Sequence, residues 1–160
     1  MIGGLTILFT MFSPAKADVV ESMRAAIQVH VAERTGRSLD NVEVAELLFD
    51  APHSCEGGVE VQVESNPSER FRGQTQFRIR LVDGARLCGR FGVPARVTLW
   101  QLAPVASQDL NTGEPIAYKM ARVRQADLRS QLVDLASQDW VAARAIRMGQ
   151  PITQRMAKRR

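Results

Sequence analysis

The chain is poor in the residues that build enzymes. Its 160 residues include two histidines, one tyrosine and two cysteines, and none of them falls into H-E-x-x-H, G-x-S-x-G, a P-loop or G-x-G-x-x-G. Nucleophile, general base and metal ligand are all scarce, so no catalytic residue, no cofactor and no metal site is expected. Asp109, beside a glycine turn, is the one carboxylate placed where catalysis would be worth inspecting. Long apolar runs are missing too. The most apolar stretch, Leu5 to Phe12 with its flanks, is about a dozen residues and falls short of a roughly 30 Å hydrocarbon core, so no stable membrane anchor is expected. Disorder is excluded by 45% hydrophobic residues against 24% charged. The length suits one or two small folded units and rules out a large multidomain enzyme.

What is present begins with a targeting pattern. Leu5 to Phe12 (LTILFTMF) precedes the helix-breaking Ser13-Pro14 and then Ala15-Lys16-Ala17, which reads as an h-region and an A-x-A cleavage site, with Met1-Ile2-Gly3-Gly4 ahead of it lacking a positive side chain. Residues 1–17 are read as a signal peptide cut after Ala17; the other reading is a buried N-terminal strand or helix. Export bears on the cysteines. Cys55 has His53 two residues before it, but one His and one Cys are not a zinc site, and an oxidising compartment favours a disulfide between Cys55 and Cys88, worth on the order of 3 kcal/mol. Two separate thiols are the alternative.

Charge is unevenly spread. Positions 18 to 117 carry 10 Lys/Arg against 14 Asp/Glu, whereas positions 118 to 160 carry 10 against 3. The formal +4 averages an acidic body and a basic end. Such an end suits acidic protein, nucleic acid or anionic lipid, and charge alone does not choose among them.

From Asp18 to Thr35 the apolar residues Val20, Met23, Ala26, Ile27 and Val31 recur at helical spacing, with Asp18 as N-cap and Gly36 as the stop. His30 lies near the apolar edge, as a structural histidine. Period-two stretches follow at Val42 to Val44, Val59 to Glu64 and Gln74 to Val82, the last with Phe77, Ile79 and Leu81 on one face and Gln76, Arg78 and Arg80 on the other. Asp83-Gly84 predicts a hairpin into Arg86 to Phe91, and Arg96 to Leu102 reads as a further strand. Arg70, Phe71 and Arg72 form a basic pair around an aromatic, a weak nucleic-acid pattern, read here as an exposed lead-in to the next strand. Residues 18 to about 100 are thus expected to form a helix on a small antiparallel sheet, an α+β domain.

An internal repeat distinguishes the remainder. Val105 to Ile116 matches Val141 to Ile152 at an offset of 36 without a gap, with Leu110 aligned to Ile146 and each copy ending at a methionine, Met120 or Met156. Each copy places a short apolar strand before a glycine turn (Gly113, Gly149), then a proline (Pro115, Pro151) where no ladder hydrogen bond need be donated. Arg124 to Val133 between them, with leucines at 128 and 132, reads as a short helix.

These residues resemble the flagellar basal-body P-ring assembly chaperone family, FlgA, whose distal part is a SAF-type domain. The resemblance rests on Val105 to Ile116 with Ala126-Asp127-Leu128 after it, on Val141 to Ile152, and on the upstream order of signal, helix (Val19 to Arg34), β-rich segment and hairpin (Gly73 to Trp100). It covers most of the chain after residue 17, on short motifs. Members continue past the second repeat with several dozen β-rich residues, whereas this sequence stops at Lys158-Arg159-Arg160, so residues 101–160 are expected to form a partial β-clip or SAF-like lobe with repeats at 105–120 and 141–156. The resemblance implies a non-catalytic periplasmic chaperone whose partner is the P-ring subunit. Arg122, Arg124, Arg144 and Arg147 are candidate partner contacts because they cluster by sequence and repeat; an ordinary solvated basic face explains them equally well. An exported pilus-assembly SAF protein is the nearest alternative. A basic nucleic-acid binder is the alternative from another class, although no nucleic acid is expected as partner.

Overall fold

Helix α1 spans Lys16–Thr35 and buries Met23, Ile27 and Val31 completely, the i, i+4, i+8 stripe that a 3.6-residue period places on one face. The structure, a computed structural model, describes residues 16–49, 59–128, 130–136 and 139–160. Residues 1–15 and Cys55 lie outside the described residues, and with them all but the last two residues of the signal peptide, and the disulfide. The helix already includes Asp18, which is therefore not its N-cap. At the other end Gly36 takes φ +64°, the Arg37 N–H reaches the Ala32 carbonyl at 3.0 Å and the Gly36 N–H reaches that of Glu33 at 3.3 Å, the paired bonds of a Schellman stop that only a left-handed residue permits.

Five strands form one antiparallel sheet: β1 (Val42–Ala45), β2 (Glu60–Glu64), β3 (Gly73–Asp83), β4 (Arg86–Ala106) and β5 (Tyr118–Arg124), with β1-β4-β3-β2 in order and β5 on the distal half of β4. The architecture is α+β, one helix on a curled antiparallel sheet. Phe77, Ile79 and Leu81 of β3 pack with Val93, Ala95 and Val97 of β4 beneath α1. Gly84, at φ +57°, opens the two-residue turn between the paired Asp83 and Arg86, as a type II′ hairpin demands.

Three expectations change. The stretches Arg86 to Phe91 and Arg96 to Leu102 are one strand of 21 residues. Pro94 does not break it, because its carbonyl faces the edge away from β3, where it accepts the Leu48 N–H at 3.4 Å; its missing N–H therefore costs no bond to β3. Arg124 to Val133 is not a helix. Strand β5 runs to Arg124, a 3₁₀ turn covers Gln125–Asp127, and Leu132 bridges to Thr153; two leucines four apart were too little pattern to outweigh pairing. Phe71 is not exposed. At φ +52° it turns inward, is 2% accessible and stacks on Phe77 with ring centroids 6.1 Å apart, which removes the aromatic platform that a nucleic-acid base would need.

His30 sits over this cluster, edge-on to Phe71 and Phe77, with Nε2 2.8 Å from Ser65 Oγ. Burial, and secondarily the Arg34 guanidinium, hold its pKa below the usual 6.5, against a smaller opposing pull from Glu33. The folded chain thus resists protonation that the unfolded chain accepts, so stability is full above pH 6.5 and declines as pH falls through the lowered folded value. Thermal unfolding followed between about pH 7.5 and 5.5 is expected to show a falling midpoint that His30→Gln flattens. Truncating Ile27 to Ala is expected to cost about 2–5 kcal/mol, read as a shift in the denaturant midpoint.

Candidate functional site

The two repeats meet face to face across a pseudo-twofold axis. At its centre the Leu110 N–H donates to the Ile146 carbonyl at 2.8 Å and the Ile146 N–H returns to Leu110 at 2.9 Å. Moving outward, every bond has a mate at the 36-residue offset. Gly113 N–H reaches the Ala142 carbonyl and Gly149 N–H that of Ala106, each at 2.8 Å; Ala142 N–H reaches Glu114 at 2.8 Å and Ala106 N–H reaches Gln150 at 3.0 Å; Ile116 N–H reaches Trp140 at 3.0 Å and Ile152 N–H reaches Pro104 at 2.8 Å. Each turn is closed by its neighbour's strand, and neither is complete alone. Pro115 and Pro151 stand opposite Val141 and Val105, between these bonds, where no N–H is called for.

The side chains repeat the pattern. Glu114 accepts the Asn111 N–H at 2.8 Å and Gln150 accepts the Arg147 N–H at 3.2 Å, so a residue three positions on closes each turn. The bonds from Asn111 also hold the Glu114 carboxyl below its usual pKa. Asp109 Oδ1 accepts the Met148 N–H at 2.7 Å, tying one turn to the other; its carboxylate has a structural task. Leu110, Ile146, Ile152, Ala106 and Ala142 form the second hydrophobic cluster.

The symmetry then breaks. Strand β6 (Trp140–Ala142) pairs with β7 (Ala157–Arg159), but the 3₁₀ turn Gln154–Met156 shifts the register by three against β4 and β5. Met120 and Met156 are accordingly not equivalent: the first is 56% exposed on β5, the second is buried in the cluster.

The four arginines have unlike surroundings. Arg122 lies over Trp100, its guanidinium carbon 4.8 Å from the ring centroid, and donates to the Asp40 carbonyl. Arg124 pairs with Asp127 at 2.9 Å, an exposed pair of small energetic value. Arg144 is exposed beside Arg155 on a cleft of about 400 Å³ with Asp127 on its wall. Arg147 is exposed at the second turn. The sequence reading missed Arg37, half-buried after the helix stop, which donates to the Trp100 carbonyl at 2.8 Å and to Gln125 Oε1 at 3.1 Å. An arginine directly after a glycine stop is the signal that was there to find. Cys88 is half-buried on β4.

Strand β5 leaves one edge without a strand partner among the described residues. The Ser107 N–H bonds the Ala117 carbonyl at 3.0 Å, and the two-residue alternation then directs the main-chain groups of Tyr118, Met120, Arg122 and Arg124 away from β4. Leu102, 65% exposed, together with Met120 and Tyr118, leaves an apolar strip on the same ribbon. No group of three or more His, Cys, Asp or Glu side chains converges among the described residues, and no described helix is long and apolar enough to cross a membrane.

The architecture thus defined is an α+β unit continued into a partial β-clip of two interlocked turns. Compared with solved structures, the chain is similar to Salmonella FlgA in closed form (16% identity, TM-score 0.47, covering 85% of this chain and 68% of that one) and in open form (19%, 0.47, 86% and 64%). It is similar also to the flagellar protein FlgA from Thermotoga maritima (12%, 0.48, 86% and 52%). The chain therefore spans roughly half to two thirds of the length of these proteins. No family model matches it, and no curated protein matches it.

Because Gly149 holds φ +78° with open space around it, Gly149→Ala introduces backbone strain and no clash. It is expected to cost about 1–2 kcal/mol in chemical denaturation, and Gly113→Ala, its mate at φ +89°, a similar amount.

Proposed function

We propose that this chain is an exported, non-catalytic chaperone that assists assembly of the flagellar P-ring around the rod, acting in the periplasm with residues 1–17 as its signal peptide. The interlocked pair of glycine turns carries the reading. It gives physical form to the two motifs on which the sequence resembles the FlgA family, in their order and at their spacing, and it needs both copies to close either turn. Residues 18–100 then form the N-terminal domain and residues 101–160 the partial SAF-like lobe.

The client surface in this proposal is the outer edge of β5 with the apolar strip beside it. Main-chain groups directed outward accept a strand from a β-rich subunit, and exposed Leu102 and Met120 supply apolar anchorage. Arg122 and Arg124 border that edge, while Arg144 and Arg147 extend the positive surface toward the second turn; exposed charge of one sign speeds encounter with an acidic partner more than it tightens the complex. A disulfide between Cys55 and Cys88 belongs to the same proposal, since it needs an oxidising compartment.

Pull-down of the mature protein with the P-ring subunit of the same cell, paired with swimming of the deletion strain, tests this. Retention of the subunit and loss of motility are expected, with slower association after Arg144→Glu and Arg147→Glu. No association together with normal swimming would refute the flagellar role.

A further inference from the structure

The face of the sheet turned away from α1 holds a group of arginines that the chaperone reading does not use. The register sets Arg80 of β3 directly opposite Arg90 of β4, and sets Arg78 between Glu64 of β2 and Gly92 of β4. Strict alternation keeps all of them on the face opposite the buried Phe77, Ile79 and Leu81. Arg78, Arg80, Arg90 and Glu64 line one cleft of about 470 Å³, with Phe91 and Gly92 completing its wall.

Three observations make this more than a solvated face. Like charges directly opposite across an antiparallel pair are destabilising, yet Arg80 and Arg90 occupy that position. None of the three arginines belongs to an ion pair among the described residues, Glu64 opposite Arg78 included; Glu60, the other carboxylate of β2, accepts instead from Gln62 at 3.1 Å. Above all, Arg80 Nε is shielded from solvent and has no hydrogen-bond partner among the described residues, a costly state for a charged donor. An oxyanion in the cleft relieves the first two, and gives Arg80 Nε an acceptor once that side chain turns into the cleft.

We infer that this cleft binds a phosphomonoester group. Three guanidiniums set against one carboxylate leave two positive charges, which match the −1.5 to −2 of a phosphomonoester near neutral pH. A phosphodiester, with one negative charge, leaves one arginine uncompensated. The planar fork of arginine suits bidentate contact with phosphate oxygens, and Arg80 Nε is the donor for which no acceptor is supplied from within. Gly92 makes room for the Gln76 side chain, whose Nε2 a Cβ there would meet at 2.8 Å. The side chains of Ile79 and Phe91 turn to the α1 face, so only their main chain borders the cleft.

Thermal unfolding of the full chain at fixed pH and matched ionic strength tests the site with glycerol 3-phosphate, inorganic phosphate and dimethyl phosphate against chloride. Glycerol 3-phosphate is expected to raise the midpoint saturably, and dimethyl phosphate to do no more than chloride. Arg90→Gln changes an exposed side chain. It is expected to raise the midpoint in chloride, by relieving the opposition to Arg80, and to weaken the glycerol 3-phosphate response at least tenfold; a side chain with only a structural role would instead lower the midpoint. Arg78→Gln is expected to weaken the response without that gain. No rise beyond chloride, or a response unchanged by both substitutions, overturns the proposal. A response confined to inorganic phosphate assigns the cleft to the free ion and overturns the monoester. Neither result touches the pull-down and motility outcome, so the two proposals fail separately.

Discussion

One strand, β4, carries the molecule. Its first half pairs with β3 and with β1 and buries Val93, Ala95 and Val97 against α1. Its last residues pair with β5 on one edge and receive the second repeat on the other, and there Ala106 enters the second cluster. Two hydrophobic cores share a backbone without an intervening linker, so a change in the register of β4 shifts both, because a slip of one residue exchanges buried and exposed faces along its whole length. Arg37 reinforces this junction: the loop after α1 sends a guanidinium to the Trp100 carbonyl and to Gln125, where the first pairing partners give way to the second.

The clip depends on β4 in turn. Its first turn leaves the end of that strand directly, and its second turn bonds back to Ala106 and Pro104, so the pseudo-twofold exists only while β4 holds its line. The three-residue shift at Gln154–Met156 ends the symmetry where it ceases to be useful. It carries Met156 into the cluster that the two turns enclose, whereas its sequence counterpart Met120 stays outside on the open ribbon. A perfectly symmetric pair would leave both methionines on the surface and the cluster short of a side chain, at a cost that scales with apolar area left in water.

Sequence periodicity was sufficient wherever one face of an element is buried and the other is not. The β3 alternation around Phe77, Ile79 and Leu81 and the helical stripe of Met23, Ile27 and Val31 stand in the structure as the pattern implies. Aligning the repeats matched Leu110 with Ile146 as equivalent positions, and the structure puts that pair on the axis. The pattern gave way where information is non-local. Strand β4 was read as two stretches, Arg86 to Phe91 and Arg96 to Leu102, and sequence does not show that the nitrogen of Pro94 between them faces away from β3. Phe71 looked exposed between two arginines because its left-handed backbone is imposed by what it packs on. Residues 124 to 133 looked helical because Leu132 gains its partner, Thr153, from 21 positions away. The arginine cleft was half visible: Arg78 and Arg80 alternate openly on β3, but placing Arg90 against them needs the hairpin register.

Charge counted along the sequence divides the chain into an acidic body and a basic end, and the side-chain partners redraw that division. Much of the acidity of the body is spent locally: Glu43 on Trp100 Nε1, Glu46 on Arg96, Glu69 on the N–H groups of Arg70 and Phe71. In the basic end Arg124 has Asp127, and Arg122 has Trp100 and a carbonyl. Since exposed charges are screened beyond about 8 Å in physiological salt, a ligand meets these neighbourhoods and not the totals. Local positive potential is therefore strongest where arginines lack a carboxylate partner. On that criterion the acidic half of the chain, through Arg78, Arg80 and Arg90, presents as firm a claim on an anion as the basic end does.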